Sequence, residues 1–178
     1  SGHTDLAHSV ANRRILEAIT RLIPEARIDY LAERYPDFQI DAAREQADLA
    51  WADIVVLQFP LFWYSAPSIL HRWLEETFTH GFSHGREGNK LKGKKLVLSL
   101  TTGAPLSAYS ARSAMGVELD DLLKCFEATC RLCQMTLAGT VRTGSVSYLC
   151  RTDPVKIEEQ HRISEDHALR LAKLLNSL

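Results

Sequence analysis

Three short segments carry side chains and backbone whose chemistry goes beyond packing. His3-Thr4-Asp5-Leu6-Ala7-His8-Ser9-Val10-Ala11-Asn12 offers a hydroxyl, an amide and free backbone N–H groups at the start of a helix, a combination that suits a phosphate. It has neither a Walker loop nor the glycine fingerprint of a dinucleotide fold, so a capped helix with nothing bound accounts for it equally well. Leu61-Phe62-Trp63-Tyr64 sets three adjacent aromatics just past a strand-like run, and they suit either stacking on a planar ring or core packing. Thr101-Thr102-Gly103-Ala104 ends a second such run. Gly103 has no Cβ and lets a ligand approach the backbone closely; amides there stabilise negative charge on a reduced ring, and a plain strand-ending turn is the other reading. Residues 105–116, with Tyr109 among them, form a long irregular stretch of the kind that often serves as a lid or binding loop.

The elements that must position these segments are legible in the apolar pattern. Val10, Ile15, Leu16, Ile19, Leu22 and Ile23 recur near helical spacing behind Ser9 as N-cap, and Pro24 ends the pattern. Residues 27–31 are a candidate short strand, Asp41 caps a helix to about Ala50, and 54–59 is a buried-strand run stopped by Pro60. A helix opens near Ser65 and Pro67 and runs through Ile69, Leu70, Trp73, Leu74 and Phe78, after which Gly81, Gly85, Gly88 and Gly93 mark irregular chain. Residues 95–101 read as a second buried strand, 119–133 as a helix, and 137–141 with 146–149 as a split last strand. Asp153 and Pro154 open a terminal helix with an ordinary solvated face around Ile157, Ile163, Leu171 and Leu174.

This alternation predicts an α/β fold: a three-layer sandwich with a mainly parallel, doubly wound sheet, one domain over residues 1–178. Ligands bind such sheets beyond the carboxyl ends of the strands, where all three segments fall. A doubly wound domain normally opens with a strand, yet Ser1-Gly2-His3 leads almost directly into the first helix. The first strand is therefore expected ahead of Ser1; an appended Ser1-Gly2 dipeptide, or a sheet that lacks a central strand, are the alternatives.

Composition narrows the function classes. The 178 residues carry 21 Lys and Arg against 22 Asp and Glu, a net charge of -1, which supplies no general attraction for nucleic acid or an anionic membrane. The 46% hydrophobic and 24% charged content is that of a globular domain. The longest apolar run, 54–64, is interrupted by Gln58 and Pro60 and falls far short of the roughly 20 residues of a spanning helix. With no basic stretch followed by an apolar signal core, the cytoplasm is the expected compartment. Cys125, Cys130, Cys133 and Cys150 follow the order of plant-type iron–sulfur ligands, but Leu119, Leu122, Phe126, Cys130 and Cys133 make one helical stripe, so they read as core thiols. His80 and His84 have helical ligand spacing, yet Gly81 and Gly85 interrupt the helix and no third ligand is in view, so no metal is expected.

Taken together, His3 with Ser9-Val10-Ala11-Asn12, Phe59-Pro60-Leu61-Phe62-Trp63-Tyr64-Ser65-Ala66-Pro67, Phe78-Thr79-His80-Gly81-Phe82 and Thr101-Thr102-Gly103 resemble the flavodoxin-like NAD(P)H:quinone oxidoreductases. Within that family the likeness is to the small bacterial enzymes and to ancillary flavoprotein subunits of glutathione-gated potassium efflux systems. The resemblance implies FMN, with FAD left open, its phosphate at Ser9, Val10, Ala11 and Asn12 near His3. It implies a flavin ring against Leu61, Phe62, Trp63 and Tyr64 and against Thr101, Thr102, Gly103 and Ala104. It further implies a hydride from NAD(P)H, two electrons passed to a quinone, and a homodimer in which His80 to Phe82 lie near the partner's flavin. Tyr109 is the candidate catalytic residue, a donor to the quinone oxygen. A regulatory subunit of a potassium efflux transporter is the alternative function. Ala104 stands where the family commonly has a second glycine.

Overall fold

The computed structural model describes residues 1–178. Strands β1 (Ile54–Pro60), β2 (Lys95–Thr101) and β3 (Thr136–Thr143) form one parallel sheet in the order β1-β2-β3. The helices are α1 (Val10–Leu22), α2 (Leu31–Arg34), α3 (Ala42–Trp51), α4 (Ser68–Thr77), α5 (Leu119–Leu132) and α6 (Pro154–Leu175). Strands covered on both faces need apolar side chains at nearly every position, and β1 and β2 have them. Val55, Leu57, Phe59, Leu96, Leu98 and Leu100 pack toward α3, α4 and α5. Val97 and Val141 pack on the other side against Ile15, Ala18 and Ile19 of α1 and Ala168 and Leu171 of α6. The result is the expected α/β sandwich of helix, sheet and helix layers.

Capping explains where the helices begin. Ser9 accepts from the backbone of Asn12, Asp41 from that of Arg44, and Asp153 from those of Val155 and Lys156, with Pro154 in the first turn. Two sequence expectations fail. Residues 27–31 form no strand, because their only backbone partner on the sheet side is Ser1. Residues 146–149 do not extend the last strand. The N–H of Val146 turns back to the Thr102 carbonyl at 2.9 Å, and a short 3-10 helix, Tyr148–Thr152, follows.

Beside β1 the sheet has no fourth strand. The Ser1 amine donates to the Asp29 carbonyl at 2.6 Å, the Ser1 carbonyl accepts from Leu31 at 3.2 Å, and the Gly2 N–H donates to the Gln58 carbonyl at 2.9 Å. That is parallel-ladder bonding on both sides, confined to two residues. A cavity of about 710 Å³ continues from there along β1, lined by Ile54, Val56, Leu16, Ile19, Leu49 and Leu70 among others. No helix is long and apolar enough to cross a membrane.

Candidate functional site

The carboxyl ends of β1 and β2 and the N-terminus of α1 meet at one edge of the sheet. The N–H of Leu61 bonds the Thr101 carbonyl at 2.8 Å, joining the two strand ends. Asn12 ties α1 to both: its amide bonds Thr101 Oγ1 at 3.1 Å and Gln58 at 2.9 Å. His3, ahead of α1, meets Phe62 edge to face with ring centres 5.9 Å apart. The three segments singled out by sequence are therefore neighbours.

At the α1 terminus the first-turn N–H groups of Val10 and Ala11 have no carbonyl within the helix to bond, and they carry the positive end of the helix dipole. Ser9 caps the turn, its hydroxyl oxygen accepting from Asn12 N at 3.2 Å and Asn12 Nδ2 at 3.3 Å. The Asn12 side chain was expected to face a ligand. It is buried instead, its polar atoms engaged by Ser9, Gln58 and Thr101. His3 is buried too, and that burial lowers its pKa, with Asp5 opposing and Arg151 adding to the shift. Its Nδ1 accepts from the Asp5 N–H at 3.0 Å, so the neutral ring carries its proton on Nε2.

The aromatic segment is a tight turn. Phe62 and Ser65 exchange both backbone hydrogen bonds, at 2.9 and 3.0 Å, and between them Trp63 and Tyr64 have φ of 49° and 64°. Two consecutive left-handed residues define a type I′ turn, normally built from Asn-Gly. Using Trp and Tyr there stores about 1–2 kcal/mol of strain per residue, and such strain gathers at functional sites. The consequence is orientation: Leu61 turns inward and is buried, while Phe62, Trp63 and Tyr64 are exposed.

Thr101 and Thr102 are buried and Gly103 is exposed. A Cβ on Gly103 would meet only the Val146 carbonyl, at 3.9 Å, so the space over this backbone is open. The segment is held from behind. Thr102 N bonds the Thr143 carbonyl at 2.9 Å, the Thr102 hydroxyl bonds the Ala104 carbonyl at 2.7 Å, and Ser145 N bonds the same carbonyl at 3.0 Å. Gly144 makes this closure feasible, since a Cβ there would stand 2.6 Å from Leu106 N and 3.0 Å from the Ala104 oxygen. Tyr109 lies beside Thr102 and Tyr64. Burial raises its phenol pKa, the Thr102 side chain opposes the shift, and Tyr64 adds to it.

Other candidates separate from this edge. His80 and His84 stack edge to face at 5.7 Å in the turn after α4, and Ser83 Oγ bonds His84 Nδ1 at 2.9 Å. Burial pushes the Cys130 thiol up to about 11, with Cys133 and Glu127 adding, and burial raises Cys133 as well, so neither is a ready thiolate. Sequence reasoning passed over Gln58, Ser99, His167 and Gly144. Only the interruption of two apolar strands by Gln58 and Ser99 hinted at a polar interior.

A parallel sheet flanked by helices, with an anion-competent helix N-terminus and two strand-end loops at its carboxyl edge, defines a flavodoxin-like protein. The chain belongs to that family: a family model described as flavodoxin-like fold matches residues 1–169. It is 39% identical over 134 residues to YdeQ of Bacillus subtilis, named as an uncharacterized NAD(P)H oxidoreductase, across 75% of this chain and 68% of that one. It is 40% identical over 133 residues to KefG of Cronobacter sakazakii, an ancillary protein of a glutathione-regulated potassium-efflux system, across 75% and 72% of the two chains. Among solved structures, general stress protein 14 of Treponema denticola in complex with FMN superposes with a TM-score of 0.85 at 28% identity, over 97% of this chain and 95% of that one.

Proposed function

We propose that the chain is an FMN-dependent NAD(P)H oxidoreductase with a quinone as electron acceptor. The observation that carries this reading is the convergence of three unlike surfaces at one sheet edge: N–H donors at α1, exposed rings on a rigid turn, and open backbone at Gly103. Each fits a different part of FMN, and the FMN-bound relative supports the match. When bound, FMN supplies two-electron chemistry, accepting a hydride and passing two electrons on. The chain's own groups do the rest. Val10, Ala11 and the Ser9 hydroxyl donate to the phosphate, and His3, which keeps a proton on Nε2, is a further donor. Phe62, Trp63 and Tyr64 offer flat apolar surface to the ring. The Gly103 and Ala104 amides face developing negative charge, and the Tyr109 phenol donates to the acceptor's oxygen. The protein acts in the cytoplasm as a homodimer, with His80, Gly81 and Phe82 reaching toward the second copy's site.

An absorbance spectrum of the purified protein, followed by release and identification of the cofactor and by quinone turnover with NADH and NADPH, tests this. Protein that stays colourless and takes up no flavin refutes it, and bound FAD would correct the cofactor. The KefG relative favours a second reading, a regulatory subunit of a potassium efflux transporter. Co-purification with a membrane transporter supports that role, and strong quinone turnover without a partner supports the enzyme.

A further inference from the structure

Beneath the α1 terminus runs a chain of buried hydrogen bonds whose direction is fixed by its far end. Arg170 on α6 can only donate, and its Nη2 donates to Thr143 Oγ1 at 2.8 Å. Thr143 therefore directs its own proton to its other partner, His167 Nδ1, at 2.8 Å. His167 is fully buried, and burial pushes its pKa down to about 3, with the Arg170 cation adding and Asp166 opposing. A neutral ring that accepts at Nδ1 carries its proton on Nε2. That proton goes to Ser99 Oγ at 2.7 Å, and Ser99 in turn donates to Gln58 Oε1. The Gln58 amide is thereby oriented, with Nε2 on Asn12 Oδ1 at 2.9 Å. Asn12 must then turn its Nδ2 toward Ser9 and Thr101, at 3.3 and 3.1 Å. Ser9 Oγ, accepting from both the backbone and the side chain of Asn12, retains a proton with no acceptor inside the protein.

The opposite polarity fails on the same atoms. Thr143 would receive protons from both Arg170 and His167, leaving its own hydroxyl proton unpaired in a buried site, and Ser9 would point its proton inward to Asn12. Leaving a buried donor unmade is the expensive outcome.

We propose that Arg170, Thr143, His167, Ser99, Gln58 and Asn12 form a one-directional relay whose output is the outward proton of Ser9, and that its buried members position Ser9 to recognise a phosphate ester. The inference rests on the FMN reading for the identity of that ester. It adds that recognition of the phosphate is set six side chains behind Ser9, by Arg170 on a different helix.

The test has two independent readouts. Nitrogen-15 NMR of the cofactor-free protein reports the His167 tautomer: Nε2–H at neutral pH is expected, and Nδ1–H overturns the relay. Ser99→Ala breaks the chain with the smallest change in volume, and Gln58→Leu breaks it one link closer. Titrations with FMN and with riboflavin, which lacks the phosphate, are then compared between wild type and each variant. Loss of one charge-assisted hydrogen bond predicts FMN binding weaker by about tenfold or more with riboflavin binding unchanged. Equal weakening of both flavins, or unchanged FMN affinity in a variant whose thermal unfolding remains cooperative, overturns the proposal. Wild-type protein that binds neither flavin refutes the FMN reading, and the Nε2–H tautomer would then still support the relay's direction.

Discussion

Helix α6 passes through two kinds of interior within little more than a turn. Ala168, Leu171 and Ala172 meet Ile15, Ala18 and Ile19 over Val97 and Val141, side chains without a polar atom among them. His167, just before them and as deeply buried as Ala168, sits between the hydroxyls of Ser99 and Thr143. The first region is stabilised by volume and shape, and any apolar set that fills the space holds it together. The second is satisfied only when every donor meets an acceptor, so it fixes orientation where the first fixes only proximity. The orienting region lies under the candidate site and the apolar one lies away from it.

Ile15→Ala attacks the apolar region and should have the largest effect, a loss of ~2–5 kcal/mol of stability in denaturant unfolding. Flavin affinity of the protein that remains folded should not change; a parallel loss of affinity would show that the two regions are not separable. Next comes pH. Folded His167 stays neutral down to about 3, whereas the unfolded residue ionises near 6.5, so between those values the unfolded state takes up the extra proton. Stability contributed by this residue is full above about pH 6.5 and falls as pH drops, by about 1.4 kcal/mol per unit. His3, also lowered by burial, acts in the same direction. Denaturation midpoints of wild type and His167→Gln between pH 7 and pH 5 should diverge by that slope, and parallel curves would assign the acid sensitivity elsewhere.

Trp63→Gly sharpens the contrast from the site side. Removing a non-glycine residue from a left-handed conformation should raise the stability of the cofactor-free protein by ~1–2 kcal/mol while weakening flavin binding. If melting temperature and affinity fall together, the turn is held by the Trp63 ring and is not strained by it. The smallest effect is expected for Tyr109→Phe. Because water can replace the phenol in an open site, quinone reduction should slow by only roughly tenfold, below the usual range for a lost donor, with flavin content kept. Stopped-flow measurement of the two half-reactions checks this, and equal slowing of both would make Tyr109 a support for its loop.

Legibility followed the same division. The apolar runs of β1 and β2, the Ser9, Asp41 and Asp153 caps and the periodic face of α1 rest on local pattern, and all are found in place. The polar relay was not readable. Gln58 and Ser99 each interrupt a hydrophobic strand without any periodicity, and His167 stands among Glu165, Asp166 and Arg170 on what reads as a solvated helix face. Their meaning appears only when strands distant in sequence are brought side by side. The turn at Trp63-Tyr64 was legible as an aromatic cluster at a strand end, whereas its type I′ geometry was hidden because the dipeptide lacks the Asn-Gly chemistry that signals it. Residues 27–31 have strand-like composition, but composition does not reveal whether a ladder partner will be present.

The three tryptophans occupy three different optical environments. Trp73 is buried with its indole N–H on Glu45 Oε2 at 2.8 Å, Trp51 lies under the Arg27 guanidinium at 3.7 Å, and Trp63 is 94% exposed on the site turn. Emission from Trp63 should therefore be red-shifted, open to iodide quenching, and extinguished by any chromophore laid against the turn, while Trp73 emits from the blue edge and ignores iodide. The protein thus carries a built-in fluorescence reporter of site occupancy alongside an internal reference, and neither needs a label.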